Sequence, residues 1–179
     1  MSCKYLFVFL ASIFFVSAAH AQFSVYGTAA ISGYGYAYNS GKLIIDGDYA
    51  GYGGGATYLF SSDRRLKLGV DFRVYVTPAA HGGNTELGSF RVSFVPRKVP
   101  LRPYFQIGAG SVSAKVVEAI GPQSVTMFGI GLGAGLDIPV SGHLDLRVLE
   151  IESAAGTSTD TSAGTASIGA GVVYHFRAP

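Results

Sequence analysis

The sequence predicts an all-β protein: an eight-stranded antiparallel up-and-down transmembrane β-barrel. Three observations carry this expectation. Segments in which apolar and polar residues alternate recur along the chain, the signature of two-faced strands. The connectors between them run alternately long and short. The amino terminus reads as a secretory leader, so the remainder is expected to leave the cytoplasm.

The leader comprises Lys4, an apolar run from Tyr5 to about Ala19, and Ala19-His20-Ala21. The run is short for a membrane-spanning helix, and Ala-x-Ala suits signal peptidase. Residues 1–21 are therefore expected to be a signal peptide and residues 22–179 one barrel domain. The single cysteine, Cys3, precedes the apolar run, so it is no lipoprotein cysteine. Its loss with the leader would remove disulfide and thiol chemistry. The formal net charge is +2, falling to +1 without Lys4, and nothing in it suggests a nucleic-acid partner. The 25 glycines, 11 tyrosines and 12 phenylalanines favour strands that bend or crowd over helices. No segment after residue 21 is apolar for long enough to cross a membrane as a helix. A membrane-embedded form must then be a closed barrel, because open sheet edges are not tolerated in lipid.

The strands follow in order. The first, Gln22 to about Tyr38, carries Phe23, Val25, Ala29 and Ile31 on one face. The second, about Asp48 to Phe60, carries Tyr52, Ala56, Tyr58 and Phe60. The third, Leu66 to Val76, alternates most cleanly: Leu66, Leu68, Val70, Phe72, Val74 and Val76 oppose Lys67, Gly69, Asp71, Arg73 and Tyr75. The fourth, Leu87 to Val95, sets Phe90, Val92 and Phe94 against Ser89, Arg91 and Ser93. The fifth, Arg102 to Val112, sets Phe105, Ile107 and Ala109 against Tyr104, Gln106, Gly108 and Gly110. The sixth, Val125 to Val140, opposes Phe128, Ile130, Leu132, Ala134, Leu136 and Ile138 to four glycines and Asp137. The seventh, His143 to about Ile151, opposes Leu144, Leu146 and Val148 to Asp145 and Arg147. The eighth, Ser167 to Phe176, places Ile168, Ala170, Val172, Tyr174 and Phe176 on one face, opposite Ser167, Gly169, Gly171, Val173 and His175.

The short connectors are Ser61–Arg65, Pro96–Leu101 and Pro139–Gly142; the long ones are Asn39–Gly47, Thr77–Glu86, Ser113–Ser124 and Ser153–Gly164. Short turns facing the periplasm and longer loops facing outside are the outer-membrane pattern, with both termini on the periplasmic side. The small-polar segment Ser153–Gly164 reads as a loop tip. Strict alternation would put Glu150 and Glu152 on the apolar face. Either they sit at headgroup level, or a bulge near Leu149 turns Glu150 inward, which is the reading favoured here.

Alternation alone does not say which face is inside. A soluble lipocalin-like barrel, binding a ligand in the periplasm, lines its interior with apolar residues. Here the polar face combines glycines with Lys67, Asp71, Arg73, Arg91, Asp137, Asp145 and Arg147. Balanced charges and small residues suit a narrow lumen, so the apolar face is expected to meet lipid. Those seven residues are the candidate lumen ion pairs.

The stretch Arg102-Pro103-Tyr104-Phe105-Gln106-Ile107-Gly108-Ala109-Gly110, the stretch Gly129 to Asp137 and the end Gly169 to Phe176 resemble the small outer-membrane barrels, OmpA-like and OmpX-like. The resemblance spans residues 22–179 and implies an outer-membrane location, contact with outer-membrane lipid and a monomer, while the peptidoglycan-binding domain of full-length OmpA-like proteins has no room in this sequence. It also implies engagement by the barrel-assembly machinery through Ile168, Ala170, Val172, Tyr174 and Phe176. Arg177-Ala178-Pro179 after the terminal aromatic departs from the family's pattern.

The function expected is a non-enzymatic envelope or surface-interaction role. A narrow pore is the alternative, and the width of an eight-stranded lumen argues against it. Some barrels of this size modify lipid A, so His81, His143 and His175 are candidate bases. None has a local His-x-Ser pattern or an evident nucleophile, and Asp160 lies in a Ser/Thr-rich stretch that makes a poor catalytic platform. No cofactor or metal is expected, since the histidines are scattered. The basic turns Arg64-Arg65 and Arg97-Lys98 would lie at the periplasmic rim. Tyr34, Tyr36, Tyr38, Tyr52 and Tyr58 are expected in aromatic girdles or the outer rim.

Overall fold

In the computed structural model the described residues are 22–38, 43–60, 65–78, 82–118, 121–157 and 161–176. The leader, His81, Asp160, Arg64 and Arg177–Pro179 fall outside them. Eight strands form one closed antiparallel barrel: β1 (Gln22–Tyr38), β2 (Leu43–Leu59), β3 (Leu66–Val76), β4 (Gly83–Phe94), β5 (Arg102–Glu118), β6 (Gly121–Pro139), β7 (Leu144–Thr157) and β8 (Thr161–Phe176). Each pairs with its sequence neighbour, and β1 pairs with β8 from Phe23↔Phe176 to Tyr38↔Thr161. That last ladder leaves no free edge in the wall, the condition for a sheet to sit in hydrocarbon.

The apolar series faces outward. Phe72 is 58% exposed and Phe128 71%, and Val70, Phe105, Ile130 and Val172 are exposed with them. The intervening residues Asp71, Arg73, Arg91, Gln106, Asp137 and Arg147 are buried in the lumen. This inside-out arrangement makes the barrel transmembrane and rules out an apolar ligand cavity of the lipocalin kind. Phe23 and Phe176 lie 5.6 Å apart, Tyr174 meets Phe176 edge-on at 4.9 Å, and His143 stacks on Tyr174 at 6.0 Å. These rings form an interfacial girdle at the end that holds both termini.

Two expectations about the opposite end are corrected. The segments read as long loops are largely strand. β2 begins at Leu43, β4 at Gly83, β5 runs to Glu118 with β6 resuming at Gly121, and β7 runs to Thr157 with β8 resuming at Thr161. Hairpin ladders continue beyond the lipid boundary because water does not break them. Ser, Thr, Ala and Gly in these stretches imitate loop composition while pairing as strands. Tyr34 is the second correction. It lies inside, where its hydroxyl donates to Thr77 Oγ1 (2.8 Å) and to the Gly83 carbonyl (3.1 Å). It thereby ties β1 to the β3–β4 connection across the lumen.

β7 carries the bulge. Its pairing with β8 shifts between Arg147 and Glu150, and β6 shifts opposite it between Leu136 and Asp137. Residues 148 and 149 occupy one position, so the inward set changes from Asp145 and Arg147 to Glu150, Glu152 and Ala154. No carboxylate of β7 is left on the lipid face.

The inward glycines of β6 serve close approach. A methyl at Gly135 would lie 2.5 Å from the Tyr104 ring, and Gly133 and Gly131 face Gln106 and Leu87 in the same way. The room left by the glycines is thus filled by β4 and β5 side chains. Gly27 faces outward with open space around it. Gly135→Val is expected to cost about 1–3 kcal/mol through overpacking, read as a lower urea midpoint of the vesicle-folded barrel. Gly27→Ala should leave the midpoint nearly unchanged.

Candidate functional site

The polar chemistry of the described residues is concentrated in the lumen, in three layers. At the termini end, β1, β3, β5, β7 and β8 form the mouth. Lys67 Nζ donates to Gln22 Oε1 at 2.8 Å, and Arg102 Nη1 pairs with Asp145 Oδ2 at 2.7 Å. Ser24 Oγ lies 2.7 Å from His175 Nδ1, and His175 Nε2 lies 2.8 Å from Asp145 Oδ2 without the alignment of a hydrogen bond. Two of the candidate ion-pair residues, Lys67 and Asp145, therefore stand apart from the others. Lys67 has a neutral partner, and Asp145 is held by Arg102, which alternation did not single out.

The middle layer joins the other five candidates to Glu150, Glu152, Tyr26, Tyr104 and Gln106. Arg73 is the hub at its outer side. Its Nε donates to Asp71 Oδ1 (3.0 Å), Nη1 to Glu150 Oε1 (2.9 Å) and to Glu152, and Nη2 to Gln106 Oε1 (2.9 Å). Arg147, with no exposed surface, donates from Nε to Asp137 Oδ1 (2.9 Å) and from Nη1 to Glu150 Oε1 (3.0 Å). Arg91 Nη2 reaches Asp137 Oδ2 at 3.0 Å, and its Nη1 lies 3.7 Å from Asp71 Oδ2. Hydroxyls complete the carboxylate shells. Tyr26 and Thr57 donate to Asp71 at 2.9 and 2.6 Å, and Tyr104 and Thr28 donate to Glu150 at 2.6 and 3.1 Å. The guanidinium of Arg91 stacks 3.6 Å over the Tyr104 ring, and that of Arg147 sits 4.3 Å from the Tyr26 ring. A buried charge is tolerable only when paired and hydrogen-bonded, and each of these seven charged side chains is.

The third layer is apolar. Leu87, Val112, Ala114, Met127, Ala154 and Ala163 form one buried cluster in the outer half of the lumen. These residues sit on the polar face of their strands, so alternation groups them with the charges. Their signal was present as Leu87, Val112 and Met127, three large apolar residues out of phase with their neighbours.

Chemically, the mouth contains the elements of a Ser–His–Asp relay that sequence spacing hid, because Ser24 and His175 lie at opposite ends of the chain and meet only through β1–β8 closure. Three features of the relay count against acyl transfer. Ser24 is 2% exposed, Asp145 is engaged by Arg102, and the histidine–aspartate contact is misaligned. Among the described residues no group of three or more His, Cys, Asp and Glu is placed to hold a metal ion.

Comparisons with known proteins agree with this geometry. No family model and no curated protein sequence matches the chain. Among solved structures it is similar to Neisserial surface protein A, at 19% identity and a TM-score of 0.53 over 86% of this chain and 97% of that one. It is also similar to the N-terminal β-barrel domain of Pseudomonas aeruginosa OprF, at 18% identity and a TM-score of 0.50 over 83% of this chain and 97% of that one. The fold is that of the small eight-stranded outer-membrane barrels. Closed wall, apolar exterior and polar interior together define an outer-membrane β-barrel protein.

The network predicts unequal roles for its two glutamates. Glu150 accepts from Arg73, Arg147, Tyr104 and Thr28, whereas Glu152 accepts from Arg73. The three arginines face four carboxylates, so Glu152 is the surplus. Glu150→Gln should cost about 3–5 kcal/mol by leaving buried guanidinium donors uncompensated. Glu152→Gln should change stability by about 1 kcal/mol or less. Urea titration of the two variants in vesicles distinguishes them, and equal losses would contradict the assignment.

Proposed function

We propose that the protein is a non-enzymatic, non-conducting barrel with an envelope structural or surface-interaction role, acting as a monomer through its lipid-facing and outer surfaces. The observation that carries this reading is how the lumen is filled: seven paired charged side chains beside a buried apolar cluster. An eight-stranded barrel has interior width only for side chains, and here side chains occupy it. The outer hairpins favour a surface role over a purely embedded one. Beyond the apolar band, Asn84, Glu86, Lys115 and Thr157 stand exposed on strands that rise out of the lipid. The terminal strand, with Ile168, Ala170, Val172, Tyr174 and Phe176 outward, suits engagement by the barrel-assembly machinery.

Planar-bilayer recording tests the non-conducting reading. The wild type should show no unitary conductance, and neither should Arg73→Ala, because Leu87, Val112 and Met127 still close the path above the lost guanidinium. Steady channels in the wild type would replace this reading with the narrow pore. Lipid A masses should be the same with and without expression, and a changed acyl pattern abolished by Ser24→Ala would overturn the non-enzymatic assignment. Phe176→Ala should lower the heat-modifiable outer-membrane yield several-fold while the barrel that does assemble keeps its stability.

A further inference from the structure

We propose that the rim between β4 and β5, at the termini end, binds an anionic phospholipid of the inner leaflet. The turn following Phe94 reads Val95-Pro96-Arg97-Lys98-Val99-Pro100-Leu101. Arg97 and Lys98 are exposed. With Pro96, Val99, Arg102 and Pro139 they line a recess of about 350 Å³. Apolar residues beside the charges mark the hydrocarbon boundary: Phe94 is 45% exposed, Val99 48% and Val140 64%. A headgroup phosphate can thus meet the two cations while the upper acyl chain lies on Val99, Val140 and Phe94. The β2–β3 turn is tied alongside, through the Val95 amide donating to the Arg65 carbonyl at 2.8 Å. Its exposed Arg65 stands on the same rim, and Asp63 and Arg64 lie outside the described residues.

Charge complementarity selects the occupant. Among residues whose side chains are described, the one exposed carboxylate is Glu86, at the far end of the barrel. Among the described residues the acid at that rim, Asp145, is buried and held by Arg102. The outer end offers the exposed cation Lys115 alone among the described residues. An anionic lipid therefore finds its attractive surface at the inner leaflet rather than the outer one, and cationic side chains near an anionic surface attract it appreciably. Pro96 and Pro100 restrict the backbone of the turn, so little ordering accompanies binding.

Native mass spectrometry of the full chain, folded in a zwitterionic detergent, tests this with dilauroylphosphatidylglycerol and dilauroylphosphatidylcholine as probes. The wild type should retain the glycerol lipid in preference to the choline lipid, by roughly 5-fold for each cationic side chain engaged. Arg97→Gln/Lys98→Gln should abolish the preference, and Lys115→Gln should leave it intact. Retained heat-modifiability of each variant establishes that the barrel is folded. Equal retention of the two lipids by the wild type, or a preference that survives the double substitution or disappears with Lys115→Gln, would overturn the assignment. Glycerol phosphate displacing the lipid at equal concentration would also overturn it, since the apolar half of the surface would then contribute nothing.

Discussion

Hydrocarbon offers a peptide group no hydrogen-bond partner, and the β1–β8 ladder is how this chain meets that constraint. Once Phe23 is paired with Phe176 and Tyr38 with Thr161, every strand has two neighbours and the wall has no edge. Everything else follows from that closure. Side chains must alternate between lipid and lumen, so a residue too polar for one face has only the other to occupy. The lumen of eight strands is too narrow to hold bulk water around isolated charges, so charges sent inward must find one another. Arg73, Arg91 and Arg147 do so through shared carboxylates, Asp71, Asp137 and Glu150 each meeting two guanidinium groups.

The bulge at residues 148 and 149 shows how tightly wall and lumen are coupled. Without it, Arg147 would still face inward, but Glu150 would meet lipid and Arg147 would lose its partner at 3.0 Å. A single inserted residue removes two charges, Glu150 and Glu152, from the membrane and supplies the network with its most connected acid. The glycines of β6 act in the complementary sense. They remove side chains where Tyr104 and Gln106 cross the lumen, and these two donate to or accept from the same charged groups.

Much of this was legible in the sequence. Period-two alternation located all eight strands, the glycines and balanced charges of one face assigned that face to the lumen, and the misplacement of Glu150 in the alternation located the bulge. Three things were not legible, each for a physical reason. Strand ends beyond the lipid lose strict alternation: Leu43-Ile44-Ile45 is apolar at consecutive positions and Ser153 to Thr157 is small and polar, so both read as loops. Tyr34 carries an amphipathic ring that suits either a girdle or a buried hydroxyl pair, and only the opposing Thr77 and Gly83 decide which. Pairings across the lumen depend on strand stagger, which alternation leaves open; thus Lys67 meets Gln22, and Arg102 takes Asp145.

The layering of the lumen bears on what such a barrel can do. A network of paired charges is held by directional contacts, and loss of one arginine would leave neighbouring carboxylates free to draw in water. The apolar cluster of Leu87, Val112, Ala114 and Met127 is held by packing alone and offers a water molecule no partner. The two seals therefore fail under different insults, and neither depends on the other's chemistry. On the proposed non-conducting reading, a lumen filled in these two ways would leave the outward-facing surfaces to meet other molecules. Among the described side chains, exposed cations gather at the end that holds Arg97 and Lys98, whereas the hairpins at the other end expose one cation, Lys115, and one acid, Glu86.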